Sequence, residues 1–307
     1  MCPGGNLAKN RVLVVGSTNV DLVTFMKRVP DGGETVIGRE FQQHFGGKGA
    51  NQAVMAARCG VPVSMIAGVG SDDFGNAMLQ NLERNGIDIA PIFNFEGTSG
   101  VAHIWVEDDG ENRITIIPGA NFKLSAKEVV ERIGSLSDVG YIVAQCEVPL
   151  DIIAEVFKVA KSIGITTIFN PAPFLPLPED LLTNTDWLVV NETEFSQLHP
   201  RRSEPINDEV IRSLPRIGNT VITLGSDGAI LVNEKITRIP APKKTPIDTT
   251  GAGDCLIGAF AAGLAMGFQP EVAIKLGIAC ASESVMRAGA QTSYLSKEEV
   301  NQLIKTL

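Results

Sequence analysis

The stretch over residues 248–254, Asp-Thr-Thr-Gly-Ala-Gly-Asp, combines a carboxylate with a nearly bare backbone. Its last residue, Asp254, precedes fourteen uncharged and mostly apolar residues at 255–268, a run typical of a buried helix. The free N–H groups of a helix start favour negative charge, and Gly251 and Gly253 let a ligand approach those groups closely. The pattern indicates an anion-binding site made of backbone N–H groups, with the Asp254 carboxylate beside them. A glycine-rich turn capped by Asp254 fits these residues equally well.

A second glycine-rich stretch occupies residues 45–53, Phe-Gly-Gly-Lys-Gly-Ala-Asn-Gln-Ala, and leads into another predicted helix. Its three glycines again let the backbone approach a partner, while Lys48 and Asn51 offer a cation and an amide at the helix start. The stretch is not a Walker A phosphate loop, because no Ser or Thr follows the lysine and the glycine spacing differs.

The elements around these stretches alternate between strands and helices. An apolar run at residues 11–16 ends in glycine and is typical of a central parallel strand, at whose carboxyl end ligands gather. Asn19 and Asp21 follow two residues apart, so they share one face of an extended segment and suit sugar hydroxyls; an ordinary Asx turn is the alternative. Further strands are predicted at 63–67, 141–144, 166–169, 187–190 and 220–224, and helices at 74–85, 125–136, 150–163, 270–286 and 296–306. The helices at 125–136 and 296–306 each begin with a Ser followed three residues later by a Glu, which predicts a capping box.

Polar residues come directly after several of these strands. Glu147, Asn191, Glu194 and the turn at 225–228 all occupy such positions, where a ligand of an open α/β sheet would bind. No G-x-G-x-x-G motif follows the first strand, so we reject a dinucleotide-binding fold.

Two segments interrupt the α/β alternation. Residues 22–45 can extend on both sides of a turn at 29–33, and residues 100–106 and 113–118 flank an Asp-Asp-Gly turn. Together they predict a small sheet across the mouth of the site, which would serve as a lid or as a dimer surface. We place this lid at about residues 19–45 and 98–118.

Composition narrows the class of protein. With 307 residues, 44% of them apolar, the chain can form one large α/β domain, and a formal charge of −9 argues against a nucleic-acid partner. The uncharged run at residues 255–270 is too short to cross a bilayer, and the first ten residues lack the apolar core of a signal peptide. Five scattered cysteines without a C-x-x-C pair indicate a reducing compartment. We therefore expect a cytoplasmic protein without nucleic-acid or membrane partners.

Residues 46–70 and 248–260 resemble the two signatures of the PfkB carbohydrate kinases. The polar residues at 19, 21, 147, 191 and 194 fall in the order expected for that family, so the resemblance covers nearly the whole chain. It implies a single domain over residues 1–307, with a Rossmann-like three-layer α/β/α core and the small β-sheet lid. Within the family, the motifs are most similar to those of members that phosphorylate D-ribose with ATP and Mg²⁺.

The resemblance also implies roles for individual residues. Asp254 would be the catalytic base, beside an anion hole of Gly251, Ala252 and Gly253. Ribose would be held by Asn19, Asp21, Gly47, Lys48, Asn51, Glu147 and Asp254. ATP would contact Asn191, Thr223, Leu224, Gly225, Ser226, Asp227, Gly228 and Gly253, and Glu194 would act on Mg²⁺ through water. A monovalent cation, usually K⁺, would be held by Asp248, Thr250, Ser284, Arg287, Gly289 and Ser293.

The sequence departs from the family pattern at two places and leaves two alternatives open. Ile278 stands where a polar residue often faces the nucleotide, and the loop at 198–207 matches poorly. One alternative is another PfkB kinase, for deoxyribose, fructose or a nucleoside. The other is a catalytically silent sugar-binding regulator, against which Asp254 and Glu194 argue. The apolar residues of the lid, at positions 101, 104, 105, 114, 116 and 117, predict a two-fold homodimer through paired lids.

Overall fold

The structure, a computed structural model, describes residues 9–199, 206–213 and 218–307. Residues 200–205 of the loop at 198–207 lie outside the described residues. Within them, eight strands form the main sheet in the order β14-β13-β12-β11-β10-β9-β1-β4. The strands are β1 (Arg11–Val15), β4 (Val63–Ile66), β9 (Val139–Ala144), β10 (Thr166–Phe169), β11 (Trp187–Asn191), β12 (Asn219–Thr223), β13 (Ala229–Val232) and β14 (Ile236–Ile239).

Helices cover both faces of this sheet, which confirms the predicted three-layer α/β/α core. They are α1 (Lys48–Arg58), α2 (Asp73–Arg84), α3 (Ala126–Gly134), α4 (Leu150–Ser162), α5 (Glu179–Thr183), α6 (Glu192–Leu198), α7 (Asp208–Arg212), α8 (Ala252–Ala265), α9 (Pro270–Ser284) and α10 (Lys297–Ile304). One apolar cluster joins α1, α8 and α9 to the sheet, and a second joins α3 and α4 to its other face. Because strands buried on both faces need apolar residues throughout, β1 and β4 lack polar alternation.

The sheet is parallel from β4 to β12, whereas β13 and β14 add antiparallel strands at one edge. This hairpin was not predicted from the sequence. It follows β12 through a tight turn at Gly225–Asp227, and a short antiparallel strand needs no crossover helix.

A separate four-stranded sheet is formed by β3 (Glu40–Gly46), β2 (Asn19–Phe25), β7 (Gly100–Val106) and β8 (Asn112–Ile117), in that order. Its strands come from the two segments assigned to a lid. The turn predicted at residues 29–33 does not join a tight hairpin, because Phe25 pairs with Glu40 and a long connection separates them. The two halves meet through parallel pairing of β2 with β7, a contact between segments distant in the sequence. A two-stranded sheet of β5 (Gly68–Gly70) and β6 (Phe93–Phe95) was not predicted.

Helix ends follow the cap residues of the sequence, with one correction. Ser296 and Glu299 form the predicted reciprocal capping box at α10. At α3 only half of the predicted box forms: the Ser125 hydroxyl oxygen accepts from the Glu128 N–H, but the Glu128 side chain does not bond back to the Ser125 N–H. Among the described helices, none has the length and hydropathy that crossing a membrane would require.

Candidate active site

The start of α1 packs directly against the junction between β1 and β2. Gly47 adopts a φ of 87°, and a Cβ there would lie 2.8 Å from the Thr18 Cα, so only glycine fits this left-handed and crowded position. Glu147, which follows β9, accepts hydrogen bonds at Oε2 from the Ser17 hydroxyl and from the Lys48 backbone N–H, the latter at 3.0 Å. Three separate segments are thereby joined at the carboxyl end of the sheet.

Asn19 and Asp21 lie on the same face of β2, as the spacing predicted. The Asn19 Oδ1 accepts a hydrogen bond from the Asn121 Nδ2 at 2.8 Å, and Asn121 Oδ1 accepts from the Thr18 N–H at 3.1 Å. Asn121 therefore fixes the orientation of the Asn19 amide. The Asp21 carboxylate packs against Gly46, where a Cβ would lie 2.2 Å from its Oδ2.

Asp254 lies in the first turn of α8, which begins after Gly251. Gly251 has a φ of 73°, and its carbonyl accepts a hydrogen bond from the Tyr294 hydroxyl at 2.8 Å. A Cβ on Gly251 would lie 2.8 Å from that hydroxyl and from the Ala290 Cβ. The backbone at this helix start is therefore held in place from the loop that follows α9.

Both oxygens of the buried Asp254 carboxylate accept hydrogen bonds from side-chain amides of α1. Asn51 Nδ2 donates to Oδ2 at 3.0 Å, and Gln52 Nε2 donates to Oδ1 at 2.9 Å. These bonds compensate the burial of a charge, which would otherwise be costly. The start of α8 has no side-chain cap, and both Asp254 oxygens face α1, so Asp254 does not act as a simple cap of its own helix. The anion-binding role of this helix start stays a prediction.

Burial and neighbouring charges shift the pKa values of the charged groups in the site. Burial raises the pKa of Asp21 to about 7, and the nearby charges of Glu147 and Asp254 act in the same direction. The charge of Asp254, followed by those of Glu147 and Glu194, raises the pKa of Lys48 despite the opposing effect of burial. The site therefore concentrates carboxylates around one lysine cation.

A cavity of about 220 Å³ lies on the other side of the α8 start. Among the predicted nucleotide residues, those that line it are Thr223, Gly225, Ser226, Gly228 and Gly253. Asn191, Leu224 and Asp227 are absent from this lining; Leu224 packs against the core, and Asp227 forms an ion pair with Lys243 at 3.0 Å. Ile278 lines the cavity with Leu256 and Val285, which makes its inner wall apolar.

Asn191 and Glu194 form a reciprocal capping box at the start of α6. Asn191 Oδ1 accepts from the Glu194 N–H at 2.8 Å, and Glu194 Oε2 accepts from the Asn191 N–H at 2.9 Å. The Asn-x-x-Glu spacing is itself a local signal for such a cap. Burial raises the pKa of Glu194 above its ordinary value.

Asp248 connects the loop before α8 to the loop after α9. Its Oδ1 accepts from the Thr250 N–H at 2.9 Å and from the Thr250 hydroxyl at 2.7 Å, and its Oδ2 accepts from the Gly289 N–H at 2.7 Å. Although burial opposes the shift, these hydrogen bonds lower the pKa of Asp248. The hydroxyls of Ser284 and Ser293 donate to nearby carbonyls, and the guanidinium of Arg287 pairs with Glu299.

Several residues of the site were not singled out from the sequence. They are Ser17, Gln52, Asn121, Gln145, Tyr294 and Gln291, the last of which donates its Nε2 to the Asn51 Oδ1 at 3.0 Å. Gln52 carried a usable signal, because a polar residue on the apolar side of a helix rich in Ala, Val and Met needs a buried partner. The partner itself is 202 residues away, so the sequence could not identify it.

Comparison with known proteins finds relatives that match nearly the whole chain. The model of the "pfkB family carbohydrate kinase" matches residues 9–297. A ribokinase of Bacillus subtilis is 38% identical over 95% of this chain and 99% of its own, and one of Lactococcus lactis is 36% identical over 97% and 98%. A deoxyribokinase of Salmonella typhi is 35% identical over 95% and 98%. The structure of Arabidopsis thaliana ribokinase complexed with ribose and ATP has a TM-score of 0.87 and 29% identity, covering 96% of this chain and 98% of that one.

Proposed function

Because the chain belongs to the PfkB family of carbohydrate kinases, we propose that it transfers the γ-phosphoryl group of ATP to the primary 5-hydroxyl of D-ribose, giving D-ribose 5-phosphate. The observation that carries this proposal is the position of Asp254. The neighbouring Gly253 lines the cavity beside α8, whereas Asp254 itself is bonded to Asn51 on the side of the polar cluster. A carboxylate between a nucleotide pocket and a sugar pocket can take the proton of the accepting hydroxyl.

The polar cluster at the start of α1 suits a small polyhydroxylated substrate. We assign ribose to Asn19, Asp21, Gly47, Lys48, Asn51, Glu147 and Asp254. These residues supply carboxylates, amides and one buried cation, which together can accept from and donate to several hydroxyls in a fixed geometry. A site built to bond a hydroxyl discriminates strongly against a sugar that lacks it.

The chemistry requires mainly positioning and charge stabilisation. In the loose transition state of phosphoryl transfer, negative charge spreads over the equatorial oxygens of the transferred group. The N–H groups at Gly251, Ala252 and Gly253 are the donors for that charge, and the Ala252 N–H also donates to the Thr249 carbonyl at 3.2 Å. Asp254 accepts the proton of the hydroxyl late in the transfer, so a carboxylate of modest basicity suffices.

Two cations belong to the proposal. Mg²⁺ would neutralise the phosphates of ATP, with Glu194 acting through water; in the described contacts only Oε2 of Glu194 is used in the capping box. K⁺ would bind between the loops that Asp248 connects, where Thr250, Ser284, Arg287, Gly289 and Ser293 supply oxygens, several of them backbone carbonyls. Carboxylate and carbonyl oxygens are suitable donors for such hard cations.

We also propose a homodimer through the lid sheet and a cytoplasmic location. β8 is an edge strand whose residues are all exposed, including Ile114, Ile116 and Ile117, and Phe41 of β3 is exposed as well. Val101, expected among these, is buried and takes no part in the exposed face. We propose the cytoplasm because ATP is the proposed phosphoryl donor and because free thiols are typical of a reducing compartment. The free thiols are those of Cys59, Cys146, Cys255 and Cys280.

A coupled assay over a panel of sugars tests the proposal. Purified protein is given ATP and Mg²⁺, with and without K⁺, and ADP release is followed with D-ribose, 2-deoxyribose, fructose and nucleosides. We expect the highest kcat/KM with ribose. A preference for deoxyribose, the second candidate because of the Salmonella relative, would revise the substrate, and ribose binding without ADP release would identify a silent regulator.

A further inference from the structure

A line of buried side-chain amides lies behind the Asp254 carboxylate. Gln145, which directly follows β9, donates its Nε2 to the Gln52 Oε1 at 2.6 Å, and Gln52 donates its Nε2 to the Asp254 Oδ1 at 2.9 Å. Gln52 and Gln145 are both completely buried. Neither belongs to the residues assigned above to ribose, ATP or the cations, so their burial at the proposed base needs another explanation.

The direction of every bond in this line follows from the carboxylate. Because a carboxylate can only accept, Gln52 must present its NH₂ group to Asp254 and its carbonyl oxygen to Gln145. Gln145 must then present its own NH₂ group to Gln52. The amide orientations, which are otherwise open to exchange of N and O, are therefore determined by the charge at the end of the line.

The last atom of the line is left without a donor. Among the described residues, the Gln145 Oε1 is a buried oxygen that accepts no hydrogen bond. It packs against Gly16, where a Cβ would lie 2.2 Å from it. An unsatisfied buried acceptor costs stability. Gln145 uses only its NH₂ group and leaves its oxygen unsatisfied, which lowers the stability of the folded protein. Its donated hydrogen bond therefore indicates a role other than stability.

We propose that Gln52 is a positioning residue for the catalytic base Asp254, and that Gln145 acts through Gln52 by locking its amide orientation. The proposal rests on the function proposed above. Each carboxylate oxygen has two lone pairs, so the Gln52 bond fixes the plane of the carboxylate and still leaves a site for the hydroxyl proton. Asn51, on the other oxygen, also belongs to the sugar site and can exchange its bond when ribose enters. The Gln52 bond has no such second role.

The expected consequence concerns turnover more than binding. A reacting group misplaced by about 1 Å can cost about 10²-fold in rate, whereas sugar affinity depends mainly on Asn19, Asp21, Lys48 and Asn51. Loss of the Gln52 amide should therefore lower kcat and leave ribose binding nearly unchanged. Loss of the Gln145 amide should act in the same direction, but less strongly, because Gln52 still reaches Asp254.

The test uses Gln52→Met, Gln145→Met and the double variant, since methionine keeps the length and removes the amide. We expect kcat to fall about 10- to 100-fold in Gln52→Met and about 3- to 10-fold in Gln145→Met. The dissociation constant of ribose, measured by calorimetry without ATP, should stay within about threefold of the parent. The double variant should match Gln52→Met alone, because in the described part of the chain Gln145 reaches the carboxylate only through Gln52.

Thr167→Val is the matched control for a buried hydrogen bond. Thr167 is fully buried in β10, and its hydroxyl donates to the Asn184 carbonyl at 2.7 Å, near the opposite end of the strand from the site. We expect it to lower the melting temperature and leave kcat unchanged.

Three results would overturn the inference while leaving the kinase assignment intact. The first is a kcat of Gln52→Met within twofold of the parent. The second is a double variant in which the kcat losses of the two single variants add. The third is a loss of kcat that merely follows the loss of melting temperature across all variants, including Thr167→Val. A parent that phosphorylates no sugar in the panel would instead overturn the proposed function, and with it this inference. A parent active only on another sugar is assayed with that sugar, where the same criteria decide.

Discussion

At the scale of single residues, Asp254 decides whether the site performs the proposed chemistry. Asp254→Asn removes the base, and losing a general base typically lowers the rate about 10²- to 10⁴-fold. Ribose binding should be retained in calorimetry, because the other sugar-site residues remain. The melting temperature should change little: loss of the buried charge stabilises, whereas the new NH₂ group would face an amide donor of Asn51 or Gln52. A kcat within a few-fold of the parent would contradict the role of Asp254 as base.

Asp21 yields a prediction about stability and pH. Its pKa is raised from 3.8 to about 7, so between these values the folded protein keeps a proton that the unfolded chain has lost. Stability from this group is therefore present at low pH and falls as pH rises towards 7. Asp21→Asn should raise the melting temperature of the ligand-free protein by at least about 2 °C at pH 8, and by less at pH 5.

Asp31→Asn serves as the control in the same thermal unfolding experiments, because its side chain is 94% exposed. It should change the melting temperature equally little at both pH values. An Asp21→Asn gain that is the same at pH 5 and pH 8 would mean that titration of this carboxyl does not influence folding.

At the scale of elements, two loops control the backbone at the start of α8. Asp248 joins the loop before α8 to Gly289, and Tyr294 bonds the Gly251 carbonyl. A cation bound between these loops would set the position of the anion-hole amides from outside the reaction centre. We predict initial rates several-fold higher in KCl than in NaCl or LiCl at matched ionic strength, in keeping with ordinary coupling energies.

A second measurement makes the cation prediction independent of activity. The melting temperature of the ligand-free protein should be higher in KCl than in choline chloride, because a bound ion stabilises the folded state by mass action. Asp248→Ala should abolish this difference. Equal rates and equal melting temperatures in all salts would exclude the site.

At the scale of the whole molecule, the four-stranded sheet of β3, β2, β7 and β8, which we propose as a lid, presents an apolar edge that a second copy would cover. Ile114 and Ile116 lie two positions apart on β8, and their exposed fractions are 55% and 46%. We predict a dimer in sedimentation velocity at micromolar concentration, and a monomer for the double substitution Ile114→Lys with Ile116→Lys. Ile163→Lys, at a residue 48% exposed next to α4, should leave the dimer intact. A fully active parent that sediments as a monomer would contradict the lid interface.

Much of the architecture could be predicted from the sequence alone. The parallel strands β1, β4, β9, β10 and β11 appear as short runs rich in apolar and β-branched residues, and α10 begins where its capping box predicts. These features depend on residues within a few positions of one another, so local patterns suffice to identify them. The glycine-rich starts of α1 and α8 were recognisable for the same reason, because a bare backbone and a cap are local properties.

The contacts between segments that are distant in the sequence could not be predicted and are known from the folded structure. The parallel pairing of β2 with β7, the antiparallel edge strands and the two-stranded sheet depend on register across the fold, which no local period specifies. The environment of Asp254 is the clearest case, since Asn51 and Gln52 lie more than 200 residues before it. A buried carboxylate needs hydrogen-bond donors, which the sequence indicates. Which donors reach Asp254 depends on the packing of α1 against α8.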